Sequence, residues 1–162
     1  MTCVASLVTP RFAIMGHDST ASSDDLYVRS ATPKVALLNG YLIGFAGSWS
    51  FGRRAFSAFE SSRSLNEFLS SFEFPEEELA LLVAKPGSLY EISTGGAVIE
   101  VLPEDDIVYH AIGTGAPYAL GALYGDKYEA ELSVTRALEA ATAHSLSVRP
   151  PHRIFTLADR RN

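Results

Sequence analysis

The sequence predicts an α+β fold, a four-layer αββα sandwich in which two antiparallel sheets pack face to face with helices outside. Three observations carry this. Strand-like and helix-like stretches come in blocks, in the order strands, helices, strands, helices, strand, whereas a parallel sheet would need alternating βαβ units. The strand-like stretches are apolar on more than one face, so each sheet needs cover on both sides. Tight-turn signals, Asn39-Gly40 foremost, join those stretches at hairpin spacing.

The elements follow in chain order. Residues 2–8 (TCVASLV) form a short apolar run with enough β-branching for a buried strand. Thr9-Pro10-Arg11 turns the chain, and residues 12–15 supply an antiparallel partner that ends at Gly16-His17-Asp18. The polar residues 19–25 read as loop. Residues 35–38 (VALL), the Asn39-Gly40 turn and residues 41–47 (YLIGFAG) read as a hairpin.

The period then changes. Phe51, Ala55, Phe56 and Phe59 recur at helical spacing, which predicts an amphipathic helix over roughly residues 50–61. Ser64 followed by Glu67 is a capping box for a second short helix over residues 65–72. Strands return with ELALLVAK, the Pro86-Gly87 turn, SLYEIST, the Gly95-Gly96 turn and AVIEVL, then residues 109–112. Two more helices are predicted over residues 117–124 and about 133–145, and a last strand over 153–157.

Composition sets the outer bounds. With 162 residues, 47% hydrophobic and 20% charged, the chain suits one globular domain over residues 1–162. A net charge of −6 speaks against a nucleic-acid partner. Arg160-Arg161 reads as a solvated tail. One cysteine, Cys3, precludes an internal disulfide. No apolar run reaches membrane-spanning length, and the N-terminus lacks the basic and apolar regions of a signal peptide, so a cytoplasmic protein with no membrane association is expected. His17, His110, His144 and His152 lack metal-ligand spacing, so neither metal nor cofactor is expected. His17 and Asp18, adjacent in a strand, would point to opposite faces, which spoils a His–Asp relay. Cys3 likewise faces away from Thr2 and reads as a small core residue.

The most informative residue is Thr2, directly behind Met1. Initiator methionine is generally removed before a small residue, and the mature chain is expected to begin with this threonine. A threonine at a free N-terminus carries a nucleophilic hydroxyl and its own base, the α-amine.

Four segments, in order, resemble the β-type subunits of the proteasome and, more closely, the bacterial HslV peptidase, both N-terminal nucleophile hydrolases. They are Met-Thr at the head of a strand, GHDS from Gly16 to Ser19, PKVALLNGYLIGFAGS from Pro33 to Ser48, and AIGTGAPYALGALYG from Ala111 to Gly125. The last two are the specific ones. The resemblance implies the N-terminal nucleophile type of sandwich and a threonine-type endopeptidase. In it Thr2 Oγ attacks a peptide carbonyl, and the Thr2 amine takes the proton. Lys34 favours the alkoxide, Asp18 holds Lys34 charged and oriented, the Gly47 N–H faces the oxyanion, and Thr114 bonds near the Thr2 amine. Phe45 and Trp49 would line the first substrate pocket. Where the family often carries an acidic residue beyond the late helix, this chain offers Ser145 and Ser147. The implied setting is a homo-oligomer of stacked rings that takes peptide or unfolded protein from an ATP-dependent unfoldase, with the helix after Ser50 as a ring contact.

Each residue taken singly has a plainer reading. Asp18 can be a turn residue, Lys34 a strand-end charge, Gly47 and Gly113 to Gly115 tight connections, and Phe45 and Trp49 packing between sheet and helix. Two other functions stay open on the sequence: a catalytically silent, self-assembling scaffold, and a non-proteolytic N-terminal nucleophile amidase.

Overall fold

The structure, a computed structural model, describes residues 2–23 and 26–159. Met1, Asp24-Asp25 of the expected loop and the Arg160-Arg161 tail lie outside the described residues. Two antiparallel sheets form the centre. The first has the order β10-β1-β2-β11, from Val108–Ile112, Val4–Val8, Phe12–His17 and Arg153–Ala158. The second has the order β5-β6-β7-β8-β9, from Val35–Leu38, Tyr41–Gly47, Leu79–Lys85, Ser88–Ile92 and Val98–Glu100. Helices α1 (Trp49–Ser61) and α2 (Leu65–Ser71) cover the second sheet, and α3 (Ala116–Gly125) and α4 (Ala130–His144) cover the first. The expected four-layer αββα sandwich is thus the observed one.

Strand alternation explains the doubly apolar sequences. Along β1, Val4 and Val8 face the second sheet with Met15, Val35, Leu42 and Leu82, while Ala5 and Leu7 face α3 and α4 with Leu123, Val134 and Leu138. Ser6, fully buried in the same strand, is satisfied by donating to the Ile14 carbonyl at 2.8 Å. Outside the second sheet, Phe45, Phe56, Phe59 and Phe68 form the third core cluster with Leu81 and Ile92. The phenylalanine stripe of α1 is core.

The turn chemistry acts as expected. Asn39 (φ 50°) and Gly40 (φ 78°) both sit in the left-handed region that a two-residue hairpin needs. The Asn39 amide also donates to the carbonyls of Phe59 (2.7 Å) and Ser62 (2.8 Å), tying the hairpin to the end of α1. Ser64 caps α2 by accepting from the Glu67 N–H at 3.1 Å. The Glu67 carboxylate reaches back one residue further than a standard box, to the Arg63 N–H at 2.8 Å.

Two local expectations change. The stretch expected as loop holds β3 (Thr20–Ser23), paired antiparallel with β4 (Leu26–Arg29). This ribbon lies in neither main sheet, so its residues need no alternating apolar face and carry no periodic signal. Helix α4 starts at Ala130, three residues ahead of expectation. Its first turn presents exposed Glu131 and Leu132, so the apolar period starts only at buried Ser133 and Val134. Among the described residues, no helix is long and apolar enough to cross a membrane.

Candidate active site

The sandwich brings three chain segments together at one end of its sheets. β2 ends at His17, and the Asp18 N–H still bonds to the Cys3 carbonyl at 3.2 Å, so Asp18 stands beside the start of β1. Lys34 immediately precedes β5, its carbonyl bonded to the Phe45 N–H at 3.0 Å. Thr2 stands two residues ahead of Val4, where β1 begins, and its carbonyl accepts from the Gly115 N–H at 3.2 Å. Thr2, Asp18 and Lys34 are 3%, 0% and 2% exposed. A lysine so deeply placed needs a reason, because an unpaired buried ammonium is strongly disfavoured.

The reason is a closed set of hydrogen bonds. The Lys34 ammonium donates to Asp18 Oδ1 at 2.8 Å and to Thr2 Oγ1. The Thr2 hydroxyl donates to Asp18 Oδ1 at 2.6 Å. Two backbone donors complete the carboxylate, Cys3 N–H to Oδ1 and Thr20 N–H to Oδ2, both at 2.9 Å. Burial alone would push the Asp18 carboxyl up. The Lys34 charge and the bonds from Lys34, Thr2 and Cys3 overcome that, and the group lies below the usual carboxylate range. Burial lowers the Lys34 ammonium, with Asp18 opposing the shift. The neighbouring Cys3 thiol is pushed up to about 12, first by burial and then by the Asp18 charge, which leaves it protonated and inert.

The other sequence candidates divide. Gly47 ends β6 at φ 110°, and its backbone lines a cavity of roughly 80 Å³ with Thr2, Ala46, Glu78, Ala80, Gly113 and Thr114. A β-carbon at Gly47 would stand 2.2 Å from the Glu78 carbonyl, so only glycine fits. The Thr114 hydroxyl reaches the Thr2 carbonyl at 3.4 Å and Ser147 Oγ at 2.8 Å, and Ser147 meets Ser145 Oγ at 3.1 Å. A run of hydroxyls, with no carboxylate, therefore connects Thr2 through Thr114 and Ser147 to Ser145.

Phe45 and Trp49 are not at this cavity. Strand alternation turns Ala46 toward Thr2 and Phe45 outward, where it is 1% exposed and packed edge-on against Trp49 and Phe56. The structure places Phe45 in the core beneath α1. Trp49 lines a separate open cleft of about 590 Å³ with Ala21, Ser22, Val28, Ser30, Thr32 and Arg53. Sequence reasoning missed the Cys3 and Thr20 amides, since backbone donors leave no side-chain signature. It also missed the close approach of Gly113, where a β-carbon would stand 2.3 Å from the Thr2 carbonyl. The described residues hold no group of three or more His, Cys, Asp or Glu side chains placed to bind a metal.

Comparison with known proteins bears on the whole chain. The ATP-dependent protease subunit HslV of Caldicellulosiruptor saccharolyticus is 32% identical over 136 residues, covering 75% of each chain. The solved structure of a eukaryotic HslV from Trypanosoma brucei superposes with a TM-score of 0.80 at 22% identity, over 98% of this chain and 100% of that one. Thiobacillus denitrificans BPH in complex with epoxomicin superposes with a TM-score of 0.79 at 17% identity, over 97% and 98%. These two share the fold. No family model matches the chain.

Proposed function

The chain belongs to the HslV family of proteasome β-type N-terminal nucleophile hydrolases, and from that premise we propose that it is a threonine-type endopeptidase subunit whose nucleophile is Thr2, freed by removal of Met1. The observation that carries this reading is the mutual bonding of Thr2 Oγ1, Lys34 Nζ and Asp18 Oδ1 in a buried cluster. A structural ion pair has no need to include a hydroxyl from the second residue of the chain.

In the proposed reaction Thr2 Oγ attacks the carbonyl carbon of the scissile peptide, and the hydroxyl proton passes to the free α-amine. The Lys34 charge lowers the cost of the developing alkoxide. The oxyanion faces the Gly47 N–H in the small cavity. Collapse breaks the C–N bond, and the leaving amine takes the proton held by the α-ammonium. Water, with the α-amine again as base, hydrolyses the resulting ester and restores Thr2. No cofactor takes part. Thr114 and Ser147 orient the Thr2 backbone, from which the amine projects.

The relative's name, an ATP-dependent protease subunit, supports an assembly that works with an ATP-driven partner; in the proposed setting identical copies form stacked rings and an ATP-driven unfoldase supplies unfolded protein. Intact mass before and after exposure to a peptide epoxyketone tests the chemistry, because that probe joins a hydroxyl and a free amine of one residue. Loss of Met1 with one adduct on Thr2 is expected. Loss of Met1 with no adduct would overturn the reading.

A further inference from the structure

One buried titratable side chain beside this cluster takes no part in the proposed reaction. His17, the last residue of β2, is 1% exposed. It lies between Val4 of β1 and Arg153 of β11 in register, with its ring stacked on Phe155 at 6.0 Å. Its Nδ1 is 2.6 Å from the backbone carbonyl of Asp18, and its Nε2 has no partner among the described residues.

These contacts fix the tautomer. A carbonyl oxygen only accepts, so Nδ1 carries the proton and donates it, and in a neutral ring Nε2 is then a bare lone pair. Burying that lone pair unpaired is unfavourable, and a phenylalanine or leucine in the same space would avoid the loss. What an apolar residue could not supply is the bond to the Asp18 carbonyl. Asp18 is itself fully buried, and its peptide group sets the direction of the carboxylate that holds Lys34 and Thr2.

We propose that His17 is a positioning residue for the Thr2–Lys34–Asp18 cluster, its Nδ1–H holding the Asp18 carbonyl so that the carboxylate is aimed at Lys34. The geometry of the cluster carries this, and its effect on turnover rests on the threonine-peptidase reading. The charged groups around the ring are Lys34 and Arg153, both cationic, and Asp18. Burial first, with those two cations adding, keeps the ring neutral at ordinary pH against the opposing pull of Asp18.

The test compares three substitutions in the full-length protein. Asparagine places an N–H where Nδ1–H stands, leucine has nearly the same shape without a donor, and glutamine carries its amide out toward the Nε2 position. Lys34 is followed by NMR of carbon-labelled lysine, which needs no activity, and Thr2 by its rate of modification with a peptide epoxyketone. In His17→Leu and His17→Gln, Lys34 should titrate at lower pH than in the wild type, because a misplaced Asp18 stabilises its charge less. Modification should slow by ~10-fold to ~100-fold in those two. His17→Asn should restore both readouts. A Lys34 titration unchanged in His17→Leu or in His17→Gln overturns the proposal, as does a wild-type imidazole in the Nε2–H tautomer by nitrogen NMR. If His17→Leu does not fold, His17→Gln against His17→Asn decides. If the wild type takes no adduct, the peptidase reading fails separately, and the Lys34 titration still decides the role of His17.

Discussion

Lys34 Nζ stands 2.8 Å from Asp18 Oδ1, with the side chains 2% and 0% exposed, and the pair has the Thr2 hydroxyl as a third member. Removing one partner of such a pair leaves the other charge buried alone. Lys34→Met should cost about 3–5 kcal/mol of stability, by denaturant unfolding. Adding Asp18→Asn to it should return most of that loss, because the orphaned charge is gone. Neither variant should hydrolyse peptide, while the oligomer size of Lys34→Ala should match the wild type. Undiminished turnover in Lys34→Ala would sink the mechanism.

Acid should act through His17 before it acts through Asp18. The His17 pKa is lowered by burial from 6.5 to about 4, so between those values the unfolded chain binds a proton that the folded chain refuses. Stability is therefore fully present above pH 6.5 and is lost as pH falls toward 4, at about 1.4 kcal/mol per unit for this one group. His152, also lowered chiefly by burial, adds in the same direction. Asp18, held below its ordinary 3.8, adds its own loss only below that pH. Unfolding midpoints measured from pH 7 to 4 should flatten in His17→Asn, which cannot titrate. An unchanged slope in that variant would show that His17 is not the source.

Much of the architecture could be read along the chain, for identifiable reasons. β1 and β2 are buried on both faces, so their sequences are apolar apart from Ser6 and His17, each of which has a hydrogen bond to a backbone carbonyl. The Asn39-Gly40 turn needs two residues tolerant of positive φ. Thr2 stands out by its place behind Met1, whereas Asp18 and Lys34 are legible only through a resemblance that supplies their order; nothing local distinguishes Asp18 from a turn residue. The β3–β4 ribbon escaped because pairing outside the main sheets leaves no hydrophobic period. Phe45 was placed near substrate by its proximity to Gly47 in sequence, but one step along a strand reverses the face, and Ala46 is the residue at the cavity.

Gly113 gives a steric test of where Thr2 must sit. Its φ is 93°, and an added β-carbon would meet the Thr2 carbonyl at 2.3 Å and Thr2 Cγ2 at 2.9 Å. Gly113→Ala must therefore shift Thr2 or the turn that carries Thr114. With reacting atoms displaced by about an ångström, acylation should fall by ~100-fold. The sandwich core, which Gly113 does not enter, should keep its unfolding midpoint within about 2 kcal/mol of the wild type. Epoxyketone labelling at wild-type rate in a folded Gly113→Ala would mean that Thr2 need not hold its observed place.

Substrate choice should lie in the cleft at Trp49. The cavity against Thr2, roughly 80 Å³, has room for about two or three waters, too little for a large side chain. The larger cleft is walled by three segments that each adjoin the cluster: Ala21 follows Asp18 closely, Thr32 precedes Lys34, and Trp49 follows Gly47. Its apolar surface comes from Ala21, Val28 and Trp49, and among its described lining residues one is charged, the exposed Arg53. Trp49→Ala should lower kcat/KM for every peptide, chiefly through KM, because it removes binding shared by ground and transition states. Arg53→Glu should act only on charged side chains. An exposed ion pair is worth up to about 1 kcal/mol, so a preference of up to ~5-fold for an acidic over a basic residue next to the scissile bond should invert. If both variants keep the wild-type order and magnitude of kcat/KM, the substrate side chain binds elsewhere, and the Trp49 cleft plays no part in selection.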